Sequence, residues 1–478
     1  MKKALLWKLL ERFGVQGTQF VLQIVLARLL SPDHYGILTI LIVFTSLANV
    51  FIQTGFNTAL IQNKDVTDED YSSVLWITLG IAGILYAIIF FCAPLIASFY
   101  DMPILIWPLR VLAIMLFPGA LNSIQLAKVS REMDFKKVFF SNIGGIIISG
   151  AVGIVIALMG GGLWALVAQT MLNIFVAAIV MALTSGLKIK FVINLKRVKT
   201  LFSYGWKLLV SGLVDTLYQD LQALVVGKKY SESTLGYFNR GKQFPQFLIN
   251  SINETVQSVM LPAMSEKQNN PEELKTLTRT AITLSSYIVF PLMAGLAAVA
   301  EPLVLVLLTE KWLPAVPYLQ IYCFSFAFYP VHSCNLQAIN AIGRSDLFLK
   351  LEIIKKSYGL IALIIALAFF ESPIAIASTG LVTAFLSCFV NALPNKKLIN
   401  YSYFEQLHDM LPSFLLSAFM FICVLAIKLL NLNPILTLCI QVVAGVVIYA
   451  ASSALLKIKP YLLTTNLIKN AIDKTKPD

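Results

Sequence analysis

WKLLERFGVQGTQFVLQIVLARLLSPDHYGIL, residues 7–38, predicts a helix of membrane-spanning length followed by a Ser-Pro-Asp turn. Four polar side chains recur along this helix at spacings of four, three and four residues: Arg12, Gln16, Gln19 and Gln23. At about 100° per residue these side chains lie on one helical face. We interpret the segment as a helix that lines a polar path, because a plain lipid anchor would not carry such a face.

The segment returns as WKLLVSGLVDTLYQDLQALVVGKKYSESTLGYF, residues 206–238. The tetrapeptide Trp-Lys-Leu-Leu is identical in both copies, and Gly36 of the first corresponds to Gly236 of the second. The polar face maps onto Ser211, Asp215, Tyr218 and Gln222. The chain is therefore predicted to contain the same helical unit twice.

Two further pairs of segments extend the repeat. The connector NSIQLAKVSREMDFKK, residues 122–137, resembles NLQAINAIGRSDLFLK, residues 335–350. In the second and eighth apolar segments, Gln53 and Asn57 correspond to Asn253 and Gln257.

The composition indicates an integral membrane protein. Hydrophobic residues make up 58% of the 478 residues and charged residues 13%, whereas soluble proteins carry about 25% charged residues. The net charge of +12 does not indicate nucleic-acid binding, because most Lys and Arg lie in short connectors between apolar segments. In such connectors they set topology and meet anionic headgroups.

Fourteen segments are long and apolar enough to be predicted as membrane spans. They lie near residues 12–30, 36–61, 72–98, 104–127, 138–159, 162–184, 204–227, 235–262, 278–299, 314–341, 347–370, 373–393, 409–430 and 434–456. Lys and Arg concentrate in the tails and even-numbered connectors, which predicts that both termini are cytoplasmic. The basic connector 185–203 separates two halves of six helices.

The predicted fold is an all-α membrane protein of about 14 transmembrane helices. Residues 1–190 and 200–394 are predicted to form two parallel six-helix repeats around a central cavity, an arrangement that places a substrate path between two lobes. Residues 407–457 are predicted to form two appended helices, and residues 458–478 a cytoplasmic tail.

Embedded cations are candidate substrate ligands. Arg110, Arg240 and Lys242 lie near or within predicted spans, where a charge at mid-bilayer costs roughly 2.5–3.5 kcal/mol. Together with Arg12 they would attract a diphosphate, and arginine binds phosphate oxygens in a bidentate manner. The alternative is that cations near span ends reach the lipid headgroups.

Amides and carboxylates complete the candidate site. The predicted cavity residues are Arg12, Gln16, Gln19, Gln23, Gln53, Arg110, Gln222, Arg240, Lys242, Asn250 and Asn253. The amide series on the first two helices, Asn49 and Asn57 included, fits either sugar contacts or helix–helix hydrogen bonds. Asp215 and Glu254 are candidates for proton or sodium coupling, with internal ion pairs as the alternative. The sequence contains no metal-binding, phosphate-loop or hydrolase motif, so no metal, cofactor or catalytic residue is predicted.

Four phrases resemble a known family: LARLLSPDHYGILT (26–39), FSYGWKLLVSG (202–212), LGYFNRGKQFP (235–245) and TEKWLPAVPYLQ (309–320). They are similar to the polysaccharide-transporter branch of the multidrug/oligosaccharidyl-lipid/polysaccharide flippase superfamily, and most of all to Wzx-type repeat-unit flippases. The resemblance implies transfer of an undecaprenyl-diphosphate-linked oligosaccharide across the bacterial inner membrane for surface polysaccharide biosynthesis. It also implies membrane lipids, a polysaccharide polymerase and a chain-length regulator as partners.

Two other functions remain open at this point. A cation-coupled multidrug exporter of the same superfamily would favour an anionic, aromatic-lined pocket. A membrane polysaccharide polymerase or lipid-linked glycosyltransferase would need a sizeable extramembrane loop, and every predicted outer connector is short.

Overall fold

The computed structural model describes residue 7 and residues 14–54, 56–62 and 65–465. The predicted cavity residue Arg12 lies outside this part of the chain. The described residues form helices joined by short turns, and they contain no β-strand.

The helices before residue 270 are α1 (Gln16–Leu29), α2 (Pro32–Gln53), α3 (Phe56–Gln62), α4 (Asp68–Tyr100), α5 (Ile106–Leu112), α6 (Leu116–Arg131), α7 (Phe135–Leu158), α8 (Leu163–Thr184), α9 (Leu195–Lys229) and α10 (Glu232–Glu266). Those that follow are α11 (Pro271–Ala298), α12 (Ala300–Leu308), α13 (Val316–Ala327), α14 (Tyr329–Ala341), α15 (Ser345–Phe369), α16 (Pro373–Leu398), α17 (Tyr403–Ala426) and α18 (Pro434–Leu455). Short 3₁₀ turns lie at Pro103–Leu105, Ala113–Met115, Glu310–Ala315 and Ile427–Leu430.

Within the described residues, helices coincide with all the predicted spans, but three spans are interrupted. The second predicted span divides between α2, which ends at Gln53, and α3, which begins at Phe56. The 3₁₀ turn Ala113–Met115 divides the fourth predicted span, and the tenth divides at Phe328, between α13 and α14. Within the described residues, nine helices are long and apolar enough to cross a membrane. The all-helical fold is confirmed, whereas the count of fourteen spans stays a prediction.

The connector between the halves differs in one respect from the sequence prediction. Helix α9 begins at Leu195, so the second part of the basic run 185–203 is helical. The Asn194 side chain accepts a hydrogen bond from the Arg197 backbone N–H at 3.2 Å and caps this start. Charged residues in the first turns therefore continue directly into an apolar helix.

The chain divides into two compact units, Met1–Gly236 and Tyr237–Asp478. This boundary follows α9 and lies within the first turns of α10. The lobes proposed from sequence, 1–190 and 200–394, are defined by repeat and connector and stay a prediction.

In the first unit, α9 runs antiparallel alongside α2. Gly212 of α9 lies against Val50 and Thr54, and further along α9 the Asp220 carboxylate accepts a hydrogen bond from Ser46 Oγ at 3.3 Å. As residue numbers rise in α9, those of their contacts in α2 fall. The start of the second sequence repeat thus packs along the second helix of the first.

The repeat-related glycines Gly36 and Gly236 make a close backbone contact in the first unit. A Cβ atom on Gly36 would lie 1.8 Å from the backbone oxygen of Glu232, and one on Gly236 would lie 2.1 Å from that of Pro32. Real Cβ atoms do not approach backbone so closely, so the first turns of α2 and α10 meet only because both residues lack a side chain.

We expect Gly36→Ala and Gly236→Ala each to lower stability by about 1–3 kcal/mol, the usual cost of overpacking, because the backbones must separate. Thermal unfolding of the purified variants measures this effect. Gly80→Ala is the matched control, since its Cβ would have no neighbour within 4 Å. Unchanged unfolding midpoints for Gly36→Ala and Gly236→Ala would show that the contact is not tight.

After each repeat, a connector docks on the start of a long helix. In the first unit, the backbone at Lys190 and Asn194 donates to Ser72 Oγ and Ser73 Oγ, both at 3.0 Å, and Arg197 pairs with the buried Asp70 at 3.1 Å.

In the second unit the ion pair has the opposite arrangement, with the arginine on the long helix and the carboxylate on the helix that follows the connector. Arg279 of α11 pairs at 2.6 Å with the buried Asp409 of α17, which also accepts from Tyr401 Oη at 2.8 Å. In both pairs the carboxylate is buried and the arginine is partly exposed, and these contacts fix where each connector enters the next helix.

Candidate functional site

A buried guanidinium marks the second unit. Arg240 of α10 is only 5% exposed, and its guanidinium carbon lies 5.5 Å from the ring centroid of Trp312. Its Nη1 donates a hydrogen bond to Gln243 Oε1, one turn along the same helix. Trp312 is fully buried, and Tyr237 meets it edge-on at 6.1 Å. The charge is thus held between an aromatic face and an amide oxygen.

Close packing around Gly241 brings Arg240 and Trp312 together. A Cβ on Gly241 would lie 2.6 Å from Tyr318 Cβ and 2.9 Å from the Ala315 backbone oxygen. Phe238 meets the ring of Tyr318 edge-on at 5.8 Å. Two of the phrases quoted above, 235–245 and 309–320, therefore pack against each other in the structure.

This arrangement stabilises a permanent positive charge away from water. Arginine does not lose its proton in proteins, so burial cannot be relieved by neutralisation. A cation over an aromatic face gains roughly 0.5–2 kcal/mol, more where it is desolvated. A guanidinium has five N–H donors in a planar fork that matches phosphate oxygens, so a residue of this type suits an anionic ligand.

The contact between Arg240 and Trp312 can be measured with a double-mutant cycle. Leu and Phe are both smaller than Trp, but only Phe keeps a ring under the guanidinium. We expect Trp312→Leu to lower the free energy of unfolding more than Trp312→Phe, and this difference to shrink by about 0.5–2 kcal/mol in an Arg240→Gln background. An equal difference in both backgrounds would contradict a cation–π contribution.

The other predicted residues of α10 differ in exposure. Lys242 is partly exposed, whereas Asn250 and Glu254 are exposed. Asn253 is 4% exposed, and its Oδ1 is buried without a hydrogen-bond partner among the described residues. Asn253 is thus the buried amide of this helix.

Apart from Arg110 on α5, the predicted residues that the structure describes in the first unit lie on three helices. Gln16, Gln19 and Gln23 are partly exposed on α1, and Gln53 is exposed at the end of α2. Asp215 and Gln222 are partly exposed on α9. Their joint membership of one cavity stays a prediction.

Arg110 is engaged by aromatic residues. Its Nε donates to the Phe90 backbone oxygen at 3.1 Å, and its guanidinium carbon lies 4.1 Å from the Phe90 ring and 5.2 Å from that of Trp107. Trp107 is 63% exposed, so this cation lies at the surface of the first unit, beside an exposed ring. Its proposed role as a substrate ligand stays a prediction.

Sequence reasoning named Asn49 and Asn57 for either sugar contacts or helix–helix hydrogen bonds, but it did not connect them with Asn122 of α6. Asn49, Asn57 and Asn122 each carry an Oδ1 that is buried and has no hydrogen-bond partner within the described residues. Asn57 Nδ2 donates to Ser123 Oγ at 3.3 Å, and Asn49 Oδ1 lies against Gly119. We call Asn49, Asn57 and Asn122 the amide patch. A buried acceptor without a donor costs about 1–3 kcal/mol.

The second unit satisfies its corresponding amide. Asn335, the repeat equivalent of Asn122, is fully buried and exchanges hydrogen bonds of 2.8 and 3.0 Å with Gln406 of α17. Its Oδ1 also accepts from Asn395 Nδ2 at 2.6 Å. The signal for both groups was the repeat of the 122–137 and 335–350 connectors, whose first residue is asparagine in each copy.

Within the part of the chain that the structure describes, no group of three or more His, Cys, Asp or Glu side chains converges on a metal-sized site. The predictions of no metal and no cofactor stay predictions.

Comparison with known proteins places the chain. Residues 25–317 match the family described as polysaccharide biosynthesis protein. The chain belongs to this family. This family member is a multi-pass membrane protein, consistent with its apolar helices.

Two characterised relatives cover much of the chain. The succinoglycan biosynthesis transport protein ExoT of Rhizobium meliloti is 22% identical over 338 residues, 71% of this chain and 68% of ExoT. The teichuronic acid biosynthesis protein TuaB of Bacillus subtilis is 25% identical over 308 residues, 63% of each chain. The match therefore spans less than two thirds of TuaB.

Two solved structures share the fold. The lipid II flippase MurJ in an inward closed conformation has a TM-score of 0.76 at 18% identity, covering 95% of this chain and 99% of that one. A multidrug resistance MATE family transporter in an inward-facing conformation has a TM-score of 0.63 at 17% identity, covering 82% and 99%. The fold of this family member is thus that of the flippase and multidrug-transporter superfamily predicted from its sequence.

Proposed function

We propose that this protein is a flippase that moves an undecaprenyl-diphosphate-linked oligosaccharide repeat unit across the bacterial inner membrane. The flipped unit then supplies lipopolysaccharide or exopolysaccharide biosynthesis. Family membership, a relative named as a polysaccharide transport protein and the fold of a lipid II flippase support this proposal. The reaction is transport, with no covalent step catalysed by the chain.

The buried Arg240 carries the proposal most directly. A diphosphate brings negative charge that a membrane interior cannot solvate, and the carrier must supply the compensating positive charge. Arg240 supplies a permanent one, already desolvated beside Trp312. The predicted cavity residues Arg12, Arg110 and Lys242 would add charge, while Gln16, Gln19, Gln23, Gln53, Gln222, Asn250 and Asn253 would contact the glycan.

Transport follows from alternation between inward- and outward-open states. Cargo or a coupling ion shifts this equilibrium only by binding one state more tightly than the other. Asp215 and Glu254 are the proposed sites for proton or sodium coupling. The prenyl tail stays in the lipid throughout, so only the diphosphate and glycan need a polar path.

We also propose both termini on the cytoplasmic side, as the Lys and Arg distribution predicts. A polysaccharide polymerase and a chain-length regulator would use the flipped repeat unit on the outer face.

The fold alone does not separate a flippase from a multidrug exporter, because both share it. Charge separates them. A carrier for cationic drugs would be opposed by a buried guanidinium, whereas a carrier for a diphosphate would be helped by it. Arg240 therefore favours the flippase.

The test is restoration of surface polysaccharide in a deletion strain of the source organism. We expect Arg240→Ala at normal protein levels to reduce surface polysaccharide by roughly tenfold or more and to raise the cytoplasmic-leaflet pool of lipid-linked repeat units. The reason is the loss of a charge-assisted phosphate contact of about 1.5–3 kcal/mol. Arg240→Lys keeps a point charge and is expected to be intermediate.

Arg344→Ala is the matched control. Arg344 pairs with Asp346 at 2.8 Å in an exposed connector, where the guanidinium lowers the pKa of that carboxyl to about 2. Its removal is expected to leave polysaccharide levels unchanged. Full activity of Arg240→Ala, or equal losses for both arginines, would remove Arg240 from the mechanism.

A further inference from the structure

The amide patch of the first unit has acceptors that protein groups do not fill. Asn49, Asn57 and Asn122 each direct a buried Oδ1 that meets no donor within the described chain. The three side chains are themselves only partly buried. Each residue therefore has some accessible surface although its Oδ1 is buried, and a ligand meets that oxygen only when the side chain rotates.

The two repeats differ at one equivalent pair of amides. Asn122 and Asn335 begin equivalent connectors. The Asn335 side chain is hydrogen-bonded by Gln406 and Asn395. Gln406 belongs to α17, the first of the two appended helices that follow only the second repeat. Asn335 thus has a structural role, whereas the Oδ1 of its equivalent, Asn122, has no donor among the described residues.

The chemistry of the patch selects a ligand that donates hydrogen bonds. A phosphate offers only acceptor oxygens at neutral pH, so it cannot satisfy three amide oxygens. Sugar hydroxyls both donate and accept, and the amide NH₂ beside each oxygen can take the second role. Ser123, which accepts from Asn57, adds a hydroxyl of the same kind.

We propose that the amide patch binds sugar hydroxyls of the transported glycan. This inference rests on the proposed flippase function and assigns it a second site, distinct in chemistry from Arg240. Arg240 recognises the diphosphate that all such cargo shares, and the amide patch recognises the glycan that differs between them. Selectivity for the repeat unit therefore lies in the first unit.

The experiment compares two probes on the purified full-length protein in nanodiscs. One probe is undecaprenyl diphosphate, and the other is the lipid-linked repeat unit extracted from the source organism. Affinity is measured for each, and the ratio of the two dissociation constants reports the contribution of the glycan. Asn49→Ala and Asn122→Ala are tested separately, with thermal unfolding recorded for every variant.

We expect the wild type to bind the glycosylated probe more tightly than the bare one. Each of Asn49→Ala and Asn122→Ala should weaken binding of the glycosylated probe by about threefold to tenfold and leave the bare probe unchanged. Arg240→Ala should weaken both probes alike. Unfolding midpoints of the two asparagine variants should equal or exceed that of the wild type, because each removes an unpaired buried acceptor.

Asn335→Ala is the matched control from the second repeat. It leaves Asn395 and Gln406 without their partner, so it should lower the unfolding midpoint and leave the ratio of dissociation constants unchanged.

Three outcomes would overturn the inference. A ratio that neither Asn49→Ala nor Asn122→Ala changes would show that the patch does not read the glycan. Equal dissociation constants for the two probes on the wild type would show that the glycan adds no binding, and would leave the proposed flippase function uncontradicted. Stabilisation by sodium alone that Asn122→Ala abolishes would assign the amide oxygens to a cation. Binding of neither probe by the wild type would instead contradict the proposed function itself, and the inference with it.

Discussion

Polar groups inside a membrane-spanning bundle need partners within the protein, because hydrocarbon offers no hydrogen bonds. The structure meets this requirement at Asn335, with two further amides, and in part at Arg240, whose guanidinium has an aromatic face and an amide oxygen as partners. It meets it again where Asp70 and Asp409 pair with arginines at the ends of long helices. The amide patch is one of several places where a buried acceptor lacks a donor among the described residues, and its proposed occupant is the sugar of the transported glycan.

The internal duplication explains why the two halves can do different work. The equivalent positions 122 and 335 both hold asparagine, but their neighbours differ because only the second repeat is followed by two more helices. Gln406 on the first of these helices donates a hydrogen bond to Asn335 Oδ1, whereas Asn122 Oδ1 has no donor among the described residues. The appended helix pair thus makes one copy of a polar position a structural contact, and we propose that the other copy takes part in glycan recognition.

Much of the fold could be predicted from the sequence, because apolar run length and the Trp-Lys-Leu-Leu repeat are local signals. The breaks at Ala113–Met115 and Phe328 could not, since the residues at the breaks are themselves apolar. Arg240 was recognisable as a charge within a span, but its partner Trp312 lies far along the chain and only packing at Gly241 brings it close. The pairing of Gly36 with Gly236 appeared as a repeat match, and its tight backbone contact required the three-dimensional structure. Asn122 was read as part of a connector, because an unpaired acceptor is a property of its surroundings.

Transbilayer movement of the cargo is the property on which the functional assignment depends. The direct measurement is a reconstitution of the purified protein into liposomes that hold a fluorescent lipid-linked repeat unit in both leaflets. A membrane-impermeant quencher is then added outside. If the protein is a flippase, it carries the inner-leaflet pool to the quencher, so fluorescence falls below the level of protein-free liposomes. Equal residual fluorescence with and without the folded protein would contradict the assignment.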